Sequence, residues 1–129
     1  MSARYTMKIV TDFAAAHLLR DYPGECSLLH GHNWKVEVEV VASELDRIGM
    51  GMDFKEIKAA TKDLIGRMDH RNLNDIAPFD EVNPTAENIA AHLYQGLSNA
   101  LNTPTVRVNA VTLWETERAC VTYAEEQPA

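Results

Sequence analysis

Two histidines separated by one glycine, His30-Gly31-His32, are the residues whose types and spacing most directly suggest chemistry. In an extended chain, side chains two positions apart point to the same side, so both imidazoles can reach one ion. His17 ends an earlier apolar segment, and in an antiparallel hairpin it would lie across from this pair. Three histidines without a fourth protein ligand are typical of a catalytic zinc site. The alternative is an ordinary surface or hydrogen-bonding pair.

A thiol lies close to these histidines in sequence, because Cys26 precedes His30 by four positions. A thiol beside a metal ion or a cationic imidazole ionises more readily. Spacing alone leaves three roles open for Cys26: a fourth zinc ligand, a general base, or a small buried apolar residue. The other cysteine, Cys120, falls in a predicted strand and is interpreted as structural.

Two carboxylates also lie where they can take part in chemistry. In Asp69-His70, the carboxylate can fix the tautomer of the imidazole and support proton transfer, although a solvated loop is the alternative. Glu115 ends a predicted strand and can bind a guanidine-like edge with both oxygens, although a solvated charge is the alternative. His92 falls within a predicted helix and is interpreted as structural or solvent-facing.

The elements that must position these groups follow from hydrophobic periodicity. Strands are predicted at 5–16 and around Trp34, where apolar and polar residues alternate, with a loop at 18–29 between them. Asp53 is predicted to cap a helix that runs to about Met68, and Thr85 to cap a second helix that ends before Pro104. Two further strands are predicted at 106–115 and 119–124.

This order of strand, strand, helix, helix, strand, strand predicts an α+β fold, with a four-stranded antiparallel sheet and both helices on one face. The length of 129 residues predicts a single domain spanning 1–129. A sheet of four strands leaves two unpaired edges, so we expect the chain to form oligomers through them.

Composition narrows the classes of partner. The net charge of -7 disfavours nonspecific binding to nucleic acid, which depends on basic contacts to phosphate. Two cysteines allow one disulfide but cannot make a disulfide framework. No apolar run approaches the ~20 residues that span a bilayer, and the N-terminus lacks a signal-peptide pattern. We therefore expect a soluble cytoplasmic protein without membrane partners, with both thiols reduced.

Taken together, these motifs resemble the 6-pyruvoyl-tetrahydropterin synthase family, and within it the bacterial 6-carboxytetrahydropterin synthases of queuosine biosynthesis. Each motif is weak alone, but the combination is specific and covers nearly the whole chain. The motifs, in family order, are Phe13-Ala14-Ala15-Ala16-His17, Cys26 with three residues before His30-Gly31-His32-Asn33, Asp53-Phe54, Asp69-His70 followed by Leu73-Asn74, Pro84-Thr85 followed by Asn88, and Trp114-Glu115-Thr116.

The resemblance implies the tunnelling fold, assembled as a homohexamer of two trimers with active sites at subunit interfaces. It implies that three residues hold zinc: His17, His30 and His32. It implies 7,8-dihydroneopterin triphosphate as the substrate and 6-carboxy-5,6,7,8-tetrahydropterin, acetaldehyde and triphosphate as the products. Four further residues take roles by resemblance: Cys26 as general base, His70 oriented by Asp69 as proton donor and acceptor, and Glu115 as the anchor of the pterin.

Two other functions remain open at this point. A pyruvoyl-type synthase would eliminate triphosphate and keep the three-carbon side chain. A noncatalytic oligomer that binds metal or pterin is the other, although simple binding has no need of Cys26 and Asp69-His70. The cations Lys35 and Arg20 are candidates for contacts to the triphosphate.

Overall fold

A computed structural model describes residues 3–126 of the chain. Five strands and two helices form its regular structure. In chain order they are β1 (Tyr5–His17), β2 (His30–Ala42), α1 (Phe54–Ile65), β3 (Arg71–Asn72), α2 (Ala86–Leu101), β4 (Val106–Thr116) and β5 (Ala119–Tyr123). The described fold is therefore α+β, as predicted.

The sheet has five strands in the order β3-β1-β2-β4-β5, so the expectation of four strands is wrong by one short strand. The additional strand, β3, is only two residues long and runs parallel to the end of β1, pairing Ala15 with Arg71. Sequence periodicity cannot reveal so short a strand inside a loop rich in Asn, Asp and Pro. The other neighbouring strands are antiparallel, as expected.

β1 and β2 form the long hairpin that the alternating pattern predicts. Their register pairs Tyr5 with Ala42 at one end and His17 with His30 at the other. Alternate residues of both strands are buried, and among them the rings of Phe13 and Trp34 stack with centroids 6.1 Å apart. The hairpin therefore brings the end of β1 to the start of β2, where the histidines lie.

β4 contains an irregularity that changes which of its side chains face the helices. Val108 pairs with Val40 but Ala110 pairs with Glu39, so Asn109 is an extra residue in the strand. Such a bulge shifts the alternation of side chains by one position. Apolar burial accordingly moves from even to odd positions along the strand, ending at Leu113. The next residue on the helix-facing side is Glu115.

Both helices pack on one face of the sheet and share one buried cluster with it. The predicted caps are confirmed, since Asp53 accepts a hydrogen bond from the Lys55 backbone and Thr85 from the Asn88 backbone. α1 ends at Ile65, three residues before the predicted end at Met68. Met68 lies in the turns that follow α1, but its side chain is buried. Its apolar position therefore fits the helical spacing although the helix has already ended.

The outer edges of the sheet remain mostly open in the described chain. β3 covers β1 only at Ala15 and Ala16, and β5 pairs on one side only. In residues 3–126, no helix combines the length and apolar character needed to cross a membrane.

Candidate metal centre and active site

Three histidine rings meet where the β1–β2 hairpin begins its pairing. His17 is opposite His30 and Ala15 is opposite His32, so both strands supply ligands at the same end. The ring centroids of His17 lie 4.6 Å from His30 and 5.2 Å from His32, and those of His30 and His32 are 4.9 Å apart. The predicted convergence of the three imidazoles is thus present.

Two backbone carbonyls fix the orientation of two of these rings. The Nδ1 of His17 lies 2.7 Å from the carbonyl oxygen of Pro84, and the Nδ1 of His30 lies 2.7 Å from that of Leu28. A carbonyl only accepts, so each Nδ1 carries a proton, and in the neutral ring the Nε2 then keeps its lone pair. Metal-binding histidines are commonly held in this way.

Glu115 joins the histidines, whereas the sequence had offered only Cys26 as a possible fourth ligand. One potential ligand atom from each of His17, His30, His32 and Glu115 lies within 4.8 Å of the others. We call these four residues the histidine–glutamate cluster. The Nε2 atoms of His17 and His32 are buried without a hydrogen-bond partner, a costly state that a metal ion would relieve. The donor set therefore fits a metal ion.

Burial sets the charge state of the cluster. It lowers the pKa of His17 and of His32 below their ordinary value, because a charged imidazole loses hydration there. The negative charge of Glu115 opposes this change at both rings, and the neighbouring His30 reinforces it. Both rings thus favour the neutral form, which is the form that binds metal.

Asp69 and His70 are in contact, as the resemblance implied. The Oδ1 of Asp69 lies 2.9 Å from the Nδ1 of His70 and accepts a 2.9 Å hydrogen bond from the Ala14 backbone. The Ala14 N–H is the main reason that the pKa of Asp69 is lowered, and His70 adds to the effect. The carboxylate is therefore anchored to the sheet while it orients His70.

His70 points away from internal structure, since its side chain is 82% exposed. It lines an open cleft of about 350 Å³ together with His32, Gly31 and Asn33. A methyl group added at Gly31 would come no closer than 3.9 Å to its nearest neighbour, the carbonyl oxygen of Ala15. Strand packing therefore does not require glycine there, and the glycine leaves this part of the cleft open.

Cys26 lies in a short 3-10 turn, Glu25–Ser27, beside the hairpin. Its carbonyl accepts a hydrogen bond from the Leu19 backbone, and its thiol is free and half-buried. It is not part of the histidine–glutamate cluster. Cys120 lies in β5, as predicted, with its thiol exposed.

The two cations suggested for triphosphate binding differ in whether their charged groups are already hydrogen-bonded within the protein. Arg20 donates from Nη2 to the carbonyl oxygen of Phe79 at 2.7 Å, so its guanidinium already serves the fold. Lys35 places its Nζ 5.3 Å from the centre of the Trp114 ring and stays available at the surface. His92 is structural, because its half-buried ring packs against Phe79.

Two asparagines that sequence reasoning did not assign to the site hold the loop after β1. Asn74 exchanges two hydrogen bonds with the backbone of Leu18, and Asn83 does the same with Arg20. Asn74 was part of the family motif, but nothing in its spacing indicates this role. These contacts fix the chain that leads from His17 to Cys26.

Comparisons with known proteins show the family to which the chain belongs. A model of the 6-pyruvoyl tetrahydropterin synthase family matches residues 6–126. A putative 6-carboxy-5,6,7,8-tetrahydropterin synthase of Archaeoglobus fulgidus is 35% identical over 109 residues, covering 84% of this chain and 90% of the relative. The 6-carboxy-5,6,7,8-tetrahydropterin synthase of Synechocystis sp. is 38% identical over 93 residues, covering 68% and 70%.

Among solved structures, the 6-pyruvoyl tetrahydropterin synthase of Caenorhabditis elegans superposes with a TM-score of 0.86 at 29% identity, covering 97% of this chain and 98% of that one. The chain belongs to the 6-pyruvoyl tetrahydropterin synthase family.

Proposed function

We propose that the chain is a zinc-dependent carbon–carbon lyase of queuosine biosynthesis. It converts 7,8-dihydroneopterin triphosphate and one water into 6-carboxy-5,6,7,8-tetrahydropterin, acetaldehyde and triphosphate. The observation that carries this proposal is the convergence of three imidazoles from two paired strands on one point, two of them oriented by backbone carbonyls. The names of the relatives from Archaeoglobus fulgidus and Synechocystis sp. support the carboxy branch.

His17, His30 and His32 would hold the zinc, since three imidazole nitrogens suit this ion and leave a position for substrate. The ion would supply Lewis acidity, which polarises a substrate oxygen. The protein keeps His17 and His32 neutral by burial, so their nitrogens stay available. The carbonyl of Pro84 keeps the ring of His17 in place, and the carbonyl of Leu28 keeps that of His30.

Cys26 acts in this proposal as the general base that removes a proton from the side chain of the substrate. His70 gives and takes the complementary proton, and Asp69 holds the ring with its Nδ1 toward the carboxylate. The exposure of His70 on the open cleft supports this role, because a proton donor must reach the substrate. Glu115 accepts hydrogen bonds from the amino-pyrimidine edge of the pterin.

The proposed assembly is a homohexamer of two trimers, in which neighbouring chains complete each active site. The open edges of β1 and β5 support it, since pairing between copies would remove both. Light scattering on the purified protein measures the assembly directly. We also propose a single domain and a cytoplasmic location.

The test of the proposed reaction is incubation with 7,8-dihydroneopterin triphosphate followed by mass analysis of the products. Acetaldehyde and the 6-carboxy pterin are expected from the native protein and from Cys120→Ala, a matched control. Neither product is expected from Cys26→Ala. Full activity of Cys26→Ala would overturn the assignment of the general base.

A second candidate is the pyruvoyl-type reaction, favoured by the superposition on the Caenorhabditis elegans synthase. It would release triphosphate but leave all three side-chain carbons on the pterin, so acetaldehyde would be missing. If the substrate binds and no product of either kind forms, the chain is a noncatalytic pterin-binding protein and both reactions are excluded.

A further inference from the structure

A second cavity, of about 410 Å³, lies at the end of the sheet opposite the histidines. Its lining comes from the residues before β1, the end of β2, and the segment that leads into β4. The hairpin pairs Tyr5 with Ala42 at this end and His17 with His30 at the other, so about 40 Å of strand lies between the cavity and the metal centre. The cavity is therefore distinct from the proposed active site.

Two guanidinium groups line this cavity, which we call the arginine cavity after Arg4 and Arg107. Neither arginine is ion-paired with a carboxylate of residues 3–126. Glu39, on the same face of β2 as Val41 of the lining, accepts a 2.6 Å hydrogen bond from Asn109 and is ion-paired with Lys8. Two unpaired positive charges thus face one cavity in a chain whose net charge is -7.

Arg107 carries a donor that the described chain does not satisfy. Its Nε is buried and has no hydrogen-bond partner there. The register places Arg107 directly opposite Val41, a side chain that is only 6% exposed, so the arginine begins beside an apolar neighbour. A buried N–H without an acceptor is unfavourable, and more so when the group is charged. An acceptor that enters the cavity would satisfy it.

The segment between α2 and β4 forms a fixed rim with hydroxyl groups. The Thr103 N–H donates to the Val106 carbonyl at 2.8 Å, and Thr103 Oγ1 accepts from the Val106 N–H at 3.1 Å. The Ser43 N–H donates to the Thr105 carbonyl at 2.9 Å, which ties the rim to the end of β2. A hydroxyl oxygen that accepts still has its own proton to donate. The rim is therefore held in place and offers a further donor to the cavity.

We propose that the arginine cavity binds a phosphate group, either free or as the ester of a small molecule. Two guanidinium forks match the charge and the bidentate geometry of a phosphate dianion. The apolar walls of Val41, Pro104 and Val106 leave room for the uncharged part of an ester, and the volume lies within the range of small-molecule sites. This inference does not depend on the proposed function, so a different reaction product would leave it standing.

The test is isothermal titration calorimetry on the purified protein with inorganic phosphate, adenosine monophosphate and adenosine. We expect both phosphate compounds to bind and adenosine, which lacks the phosphate, not to bind. Tighter binding of adenosine monophosphate than of phosphate would identify an ester as the ligand, and otherwise free phosphate is the ligand. Failure of both phosphate compounds to bind would overturn the inference, as would adenosine that binds as tightly as its monophosphate.

Three variants locate the binding. Arg4→Gln and Arg107→Gln each remove one guanidinium and should weaken the binding of phosphate by about 10-fold or more, since hydrogen bonds between charged groups are lost. Arg4 is exposed, so its variant should keep the melting temperature of the native protein even if Arg107→Gln does not fold. Arg118→Gln, at an exposed position in the turn after β4, is the matched control and should bind as the native protein does. Unchanged binding in Arg4→Gln and Arg107→Gln, or an equal loss in Arg118→Gln, would overturn the inference.

Discussion

Zinc should stabilise the folded protein by an amount that depends on the histidine–glutamate cluster. Removing zinc with a chelator leaves the Nε2 atoms of His17 and His32 buried and without hydrogen bonds. Each unsatisfied buried nitrogen costs about 1–3 kcal/mol. Bonding both nitrogens to zinc should therefore stabilise the folded protein by about 2–6 kcal/mol. By mass action, this equals free zinc at about 30-fold to about 25,000-fold above its dissociation constant.

The assay is thermal unfolding of the metal-free protein, with and without zinc in slight excess. At about 4 °C for each kcal/mol in a domain of this size, the melting temperature should rise by about 8–24 °C. His32→Ala should remove most of this rise. His70→Ala is the matched control, because it deletes an exposed histidine outside the cluster, and it should keep the rise. An equal rise in His32→Ala, or none in the native protein, would refute the reasoning.

Three other outcomes follow from single side chains. Cys26→Ala should keep a full complement of zinc by elemental analysis while it loses turnover, and loss of the metal would instead make the thiol a ligand. Thr85→Ala removes the N-cap of α2 and should cost about 1 kcal/mol, or about 4 °C in melting temperature; an unchanged value would mean that this cap contributes nothing. Burial and the charge of Arg67 lower the pKa of His92, so the unfolded chain takes up its proton first as pH falls below about 6.5. The free energy of unfolding should therefore decrease as the pH is lowered from about 6.5 to the lowered pKa of His92. In His92→Leu this dependence on pH should be weaker. An equal dependence on pH in the two proteins would contradict this cause.

The long hairpin could be predicted from sequence because its signal is local. Alternation around Trp34 fixes which side chains share a face, and an antiparallel turn then places His17 opposite His30. The helix caps were equally readable, since Asp53 and Thr85 act on backbone groups two or three residues away. Such features can be predicted because the interacting groups are only a few residues apart in the sequence.

Glu115 could not be placed by the same reasoning, because its direction depends on a bulge elsewhere in β4. Regular alternation from Val106 would turn Glu115 to the opposite face of the sheet. The signal was present in the shift of apolar positions from Val108 to Val111, but it becomes readable only once the register against β2 is known.

Contacts to backbone atoms are the other part that sequence could not supply. The carbonyl of Pro84 orients His17 from 67 residues away, and the N–H of Ala14 anchors Asp69 from 55 residues away. Every residue type offers a backbone carbonyl, so no residue pattern indicates which one will serve a histidine. These partners depend on how the loops pack against the hairpin.

The most direct test of the central claim is the turnover of protein stripped of metal, measured before and after one equivalent of zinc per chain. The account predicts no acetaldehyde from the stripped protein with 7,8-dihydroneopterin triphosphate, and recovery of acetaldehyde when zinc is restored. Full turnover by protein that elemental analysis shows to be free of metal would contradict it.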